Sequence, residues 1–327
     1  MMKTRIVSVD LLKVVAVLTV MNSHMEICYG KYDMLATGGA IGDALFFFCS
    51  GFTILLGGVK SFPNYYKRRI SRIYPTVVVA ALLAAVFFDA GASLIDNVIL
   101  GGGWFVQCIM LYYIPLWFVH RYFMNDFKWL WIITAFVIVL LYYTLFADEW
   151  NGSIFMYGNT KYKWVFNFVF MLYGGYVGSH HGRFKYHWSS IPMVIVCVIV
   201  WYSFFFLSKH VDVVVNLQYL SLLSLFGIVH YLYLMCNHPF LERMAKSPVS
   251  GQVIYIIGGL CLESYLIQTY FFTDKLNWLF PLNIPLIMLL VLLVAYGVNA
   301  FANLLSQTFK AEDYVASKIF LHKCYQD

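Results

Sequence analysis

The sequence predicts an all-α polytopic membrane protein, with about ten transmembrane helices in one bundle. Three observations carry that expectation. Of 327 residues, 61% are hydrophobic and only 12% are Asp, Glu, Lys or Arg, against about 25% charged residues in a soluble domain. The apolar residues fall in stretches long enough to cross the ~30 Å hydrocarbon layer of a bilayer. The 22 Lys and Arg outnumber the 16 Asp and Glu for a net charge of +6, and the basic residues gather in short connecting segments. That placement points to the lipid bilayer as the partner and away from nucleic acid.

The candidate spans lie near residues 7–28, 38–58, 73–90, 99–120, 129–147, 163–180, 191–208, 216–236, 252–273 and 283–305. The first is apolar through Leu18–Met21 yet carries Asp10, Lys13 and His24. Lys13 and His24 are eleven residues apart. That is about three turns and about 16 Å of axis, so both project from one face. Ionisable groups inside a span cost about 2.5–3.5 kcal/mol on insertion scales and normally face a bundle interior or a watery cavity. Two on one face predict a polar channel inside the protein.

The second span reads GGAIGDALFFFCSGF. Its Gly38, Gly39, Gly42 and Gly51 permit close helix approach, and Asp43 falls near the outer interface. Residues 62–75, FPNYYKRRISRIYP, set Lys67, Arg68, Arg69 and Arg72 at the mouth of the third span. Arg69 and Arg72 share a helical face, and paired guanidinium forks suit phosphate. The alternative is anchoring to lipid head groups. The fourth span opens GGGWFVQCIMLYY, where the glycines before Trp104 predict a tight entry and Gln107 and Tyr112 a cavity lining. The ninth, GGLCLESYLIQTY, holds Glu263, Ser264 and Gln268 in mid-span. A carboxylate there needs a partner or a proton, and Lys13 and His24 are the candidates.

With the N-terminus inside, sixteen Lys and Arg, from Lys3 and Arg5 to Lys318 and Lys323, fall on cytoplasmic segments. Five, namely Lys31, Lys161, Lys163, Lys209 and Lys275, fall on outer ones. The positive-inside rule then predicts both termini cytoplasmic, with Lys13 in the inner part of its helix and His24 in the outer part. The chain reads as one domain over 1–327, with a short cytoplasmic tail from about residue 307 and no cleavable leader. Seven cysteines, Cys28, Cys49, Cys108, Cys197, Cys236, Cys261 and Cys324, show no CxxC pair and read as small core residues. No metal site is implied. His180, His181 and His187 read as part of a solvated cytoplasmic loop.

Taken together and in order, these stretches resemble the acyltransferase-3 family of integral membrane acyltransferases that modify bacterial envelope glycans. The resemblance runs through the basic residue, ten residues and histidine of Lys13 to His24, then FFCSGF at Phe47–Phe52, then RRISRIYP at Arg68–Pro75. It continues through Trp104-Phe105 with Tyr112 and ends at the YLxH-like Tyr265–Gln268. It implies a catalytic His24 accompanied by Lys13 and Glu263, and an acyl-CoA site that involves Arg69, Arg72 and Trp104. Two positions depart from the family pattern. Lys13 stands where Arg is commoner, a point charge in place of a fork. Gln268 replaces the late histidine, which leaves more of the proton chemistry to Glu263. The implied activity moves an acetyl group from cytoplasmic acetyl-CoA to a hydroxyl of an extracytoplasmic sugar or polysaccharide, in a multi-pass protein of the bacterial inner membrane. From the residues alone, a transporter or exporter with a polar pathway through Lys13, His24 and Glu263 stays open.

Overall fold

The computed structural model describes residues 6–58, 60–88, 94–99, 101–124, 127–146, 156–158, 160–208, 210–310 and 312–321. Lys3, Arg5, Lys209, Lys323 and Cys324 lie outside the described residues. Among those described there is no strand. Eleven principal helices follow in order: α1 Val7–Ser23, α2 Gly39–Leu55, α3 Phe62–Phe87, α4 Trp104–Tyr122, α5 Phe127–Leu141, α6 Lys163–Ser179, α7 Ser190–Leu207, α8 Ser221–Cys236, α9 Pro248–Gly259, α10 Cys261–Ile267 and α11 Asn283–Thr308.

A helix stands at each predicted stretch, but their lengths differ from the expectation. Among the described residues, four helices suffice by length and apolar composition to cross a membrane: α3, α7, the stretch Gln218–Cys236 that contains α8, and α11. Six suffice if each of two bent pairs counts as one span. The first pair is α1 with Glu26–Leu35, which departs from it at 73°, so the first helix ends at Ser23 and not near residue 28. The second is α9 with the segment from Cys261, bent by 55°. The expected continuous helix over 252–273 is thus broken, and the break falls at Gly258–Gly259, where a pair of glycines offers the least resistance to a kink. Helix α3 starts eleven residues before the expected residue 73, at Phe62. Pro63 in its first turn suits a helix start, where a missing N–H costs nothing, and the basic run that hydropathy excludes is helical.

Helix α2 is the hub. A Cβ on Gly51 would overlap the backbone oxygen of Met171 in α6, and one on Gly174 of α6 would overlap that of Phe48. The two backbones touch because both residues lack side chains. On its other sides α2 sends Phe47 against Phe105 and Tyr112 of α4, with ring centroids 4.9 and 5.1 Å away. Phe48 and Phe52 meet Tyr233 of α8 at 5.5 and 5.7 Å. All three phenylalanines are fully buried. Helix α1 lies against α2, α8, α9 and α10, and α11 closes the bundle against α3 and α10. Helix α7 instead presents Ile191, Ile195, Val196 and Ile199 outward, the surface of a helix whose solvent is lipid. The chain is a multi-pass membrane protein.

Candidate functional site

One end of the bundle holds a cavity of about 810 Å³. Asp10 and Lys13 of α1 enter it from one side, Arg72 and Thr76 of α3 from another, Tyr113 from α4 and Glu263 from α10. The bend after α9 creates this convergence. A Cβ on Gly258 would stand 3.0 Å from the Asp10 carbonyl and 3.5 Å from Lys13 Cβ, so α9 lies directly on α1. The chain then turns and restarts at Cys261, which brings Glu263 across to α3 and α11. Glu263 is 4% exposed. Its Oε1 accepts from Thr76 Oγ1 at 3.2 Å and from Asn299 Nδ2 at 2.7 Å, and Arg72 is within electrostatic reach. A buried carboxylate with two donors and a nearby guanidinium has the partners that burial demands.

The cavity reaches the surface alongside α3 at Arg72, ten residues after that helix begins. Arg72 is exposed at the opening. One turn before it, the Arg69 guanidinium lies over the rings of Tyr65 and Tyr113, at 5.1 and 5.6 Å. Cation–π contact holds it in place, and its buried Nε has no hydrogen-bond partner among the described residues. His181 is exposed as the loop reading expected, yet it also reaches the cavity lining. Ile6 and Leu321 line the same cavity, so the first and last described residues lie at this one end of the bundle.

His24 is elsewhere. It caps the C-terminus of α1, about three turns from Lys13 and about 16 Å along the axis. It is exposed, outside the cavity lining. Lys163, the first residue of α6, is within electrostatic reach of both His24 and Asp43. The Lys163 ammonium sits 4.2 Å from the centre of the Trp104 ring. Trp104 opens α4 after Gly101, Gly102 and Gly103, all at positive φ (68°, 74° and 152°). Side chains there would meet backbone strain, and a Cβ on Gly103 would fall 2.7 Å from the Tyr265 hydroxyl. The tight entry expected before Trp104 is therefore present. The structure brings Lys13, Glu263 and Arg72 to one cavity, with Arg69 beside its opening. It sets His24 and Trp104 at the other end of α1, with Asp43 and Lys163.

Gln268, at the place of the late histidine, is 1% exposed, and its Oε1 lacks a hydrogen-bond partner among the described residues, as does the buried Ser264 Oγ. Thr76, Tyr113, Asn299 and Asn303 of the site escaped the sequence reading. Asn299 donates to Glu263, and Asn303 Nδ2 donates to Asn299 Oδ1 at 2.8 Å. The signal for the two asparagines was present: polar side chains four apart on an otherwise apolar helix. Among the described residues no group of His, Cys, Asp or Glu is arranged to hold a metal ion.

Compared with models of protein families, residues 6–300 match one described as an acyltransferase domain. No curated protein and no solved structure matches the chain.

Proposed function

Since the chain belongs to the acyltransferase-3 family, which makes it a membrane acyltransferase, we propose that it transfers an acetyl group from cytoplasmic acetyl-CoA to a hydroxyl of an extracytoplasmic sugar or polysaccharide. The observation that carries this reading is the single helix α1, which runs from a polar cavity lined by Lys13 and Arg72 to a histidine at its other end. Arg69 and Arg72 would receive the phosphates of CoA at the opening, and Lys13 would face the pantetheine arm inside. Both described chain ends lie at the cavity end, which supports an even number of crossings with both termini cytoplasmic. CoA is available on that side, in the bacterial inner membrane as elsewhere.

His24 then acts at the outer end. Its neutral imidazole accepts the proton of the acceptor hydroxyl as that oxygen attacks the thioester carbonyl. The tetrahedral intermediate collapses with cleavage of the C–S bond. CoA leaves as the thiolate, and the imidazolium returns the proton to it. Trp104 packs beside the acyl end of the donor. Glu263, oriented by Thr76 and Asn299, supplies the carboxylate nearest the arm, in a chain that has Gln268 where the family has its late histidine. With the family shown, no observation favours the transporter reading.

Acetyl-CoA binding to the purified protein in detergent tests the proposal without knowledge of the acceptor. The Arg69→Ala/Arg72→Ala protein, at an unchanged thermal midpoint, binds at least tenfold more weakly than the wild type. Equal affinity of the two, or no binding by the folded wild type, contradicts it.

A further inference from the structure

Helix α11 is apolar for most of its 26 residues, yet Tyr296, Asn299, Asn303 and Gln307 follow one another at spacings of three, four and four. Those spacings place them on one stripe. Amides on an apolar helix are costly unless hydrogen-bonded, and each of these is. Their bonds go to two destinations. One is Glu263 in the cavity wall. The other is the segment 312–321, which folds back along α11.

Gln307 clasps Val315 at both ends of its peptide: Val315 N donates to Gln307 Oε1 at 2.7 Å and Gln307 Nε2 donates to Val315 O at 3.4 Å. Asn303 Nδ2 donates to Ile319 O at 3.0 Å, and the Tyr296 hydroxyl to Leu321 O at 3.4 Å. The Tyr296 ring stacks on Phe320, with centroids 6.3 Å apart. Within this strap only Ile319 and Leu321 are half-buried; the rest is exposed. Leu321 lines the cavity, and a Cβ on Gly259 would come within 3.1 Å of its side chain. Asn303 also donates to Asn299, which donates to Glu263. A continuous chain of hydrogen bonds therefore links the strap backbone to the buried carboxylate. The strap lies beyond residue 300, where the family match ends.

Ordering a segment that is mostly exposed costs conformational entropy. The Gln307 clasp alone would anchor the strap to the helix end. The contacts farther along, at Ile319 and Leu321, lie at the cavity. We infer that the strap 312–321 completes the wall of the acyl-donor cavity through Leu321, and that Asn303 and Asn299 are positioning residues coupling the seated strap to the orientation of Glu263. The inference rests on the acyl-CoA reading above. Leu321 gives the pantetheine arm an apolar surface beside Gly259, in the cavity that Lys13 also lines, and a donor in contact with it stabilises the strap by the same free energy that the strap lends to donor binding.

Hydrogen exchange of the full chain, with and without saturating acetyl-CoA, tests this. The amides of residues 314–321 exchange at least fivefold more slowly with the donor bound. Leu321→Glu weakens acetyl-CoA binding at least tenfold at an unchanged thermal midpoint. Asn303→Ala removes the ligand-dependent protection of the strap and shifts the acidic limb of the pH–rate profile of acetyl transfer, which a change in folding alone leaves in place. Acetyl-CoA that binds and protects residues 62–76 while strap exchange and the Leu321→Glu affinity stay unchanged overturns the wall and leaves the donor reading standing. An unshifted pH profile in Asn303→Ala overturns the positioning role. No acetyl-CoA binding at all overturns the donor reading and the inference with it.

Discussion

The two ends of α1 solve the problem of charge in a membrane protein differently. At the Lys13 end, ionisable groups line a cavity, and the buried Glu263 is held by Thr76 and Asn299. At the His24 end the groups sit at helix termini. His24 closes α1 and Lys163 opens α6, beside a glycine turn. The first arrangement fixes its side chains by partners on three helices. The second leaves its histidine exposed and open to an incoming molecule. Under the proposed function, a cavity that holds one end of a long donor needs the former, and a base that meets a bulky acceptor needs the latter. The lesson is that burial and satisfaction mark where a ligand is held, while exposure at a helix end marks where chemistry can reach out.

Both ends depend on the α2 hub, so the largest expected effect comes from breaking it. Gly51→Ala places a methyl group inside the Met171 carbonyl oxygen and destabilises the fold by at least about 3 kcal/mol, the upper range for overpacking. A thermal unfolding scan in detergent checks it. Gly182→Ala, where no atom lies within 4 Å of the new Cβ, leaves the midpoint unmoved.

The next effect separates the ends. Glu263→Ala strands the donors of Thr76 and Asn299 in a buried place and costs about 1–3 kcal/mol of stability, again read by thermal unfolding. Glu263→Gln, which keeps an acceptor for Asn299, loses less. If Glu263→Ala were as stable as the wild type, the network around the cavity would not be structural.

A smaller effect sharpens the other end. Lys163→Ala removes the cation that faces Asp43 and His24 and lies over Trp104. A half-buried charge of this kind is worth about 1 kcal/mol, so the transfer rate falls about fivefold. The affinity for acetyl-CoA, which the proposed function assigns chiefly to Arg69 and Arg72 at the other end of α1, stays the same. A parallel loss of binding and rate would merge the two regions into one.

What could be read in the sequence was local. The Lys13–His24 spacing, the Arg69–Arg72 pair, the Gly51 contact and the glycine turn before Trp104 all follow from periodicity or residue type within a few turns. The start of α3 at Phe62 was hidden because a basic run carries no hydropathy, although Pro63 marked it. Hydropathy gives about ten spans because it scores apolar composition and not the length of an unbroken helix; among the described residues four to six helices meet both conditions. The bend after Gly259, the Glu263–Asn299–Asn303 chain and the return of residues 312–321 depend on partners that are distant in sequence. No window of residues contains them.

The central claim is that donor binding and proton transfer occupy opposite ends of one helix. The most direct test measures both in the His24→Ala protein: the dissociation constant for acetyl-CoA, and label transfer from [acetyl-¹⁴C]acetyl-CoA to the glycan fraction of cells that express the protein. Donor affinity is expected to stay unchanged and the transfer rate to fall by about 10²–10⁴-fold, the usual contribution of a general base. Wild-type transfer by His24→Ala, or loss of acetyl-CoA binding in a folded variant, would contradict it.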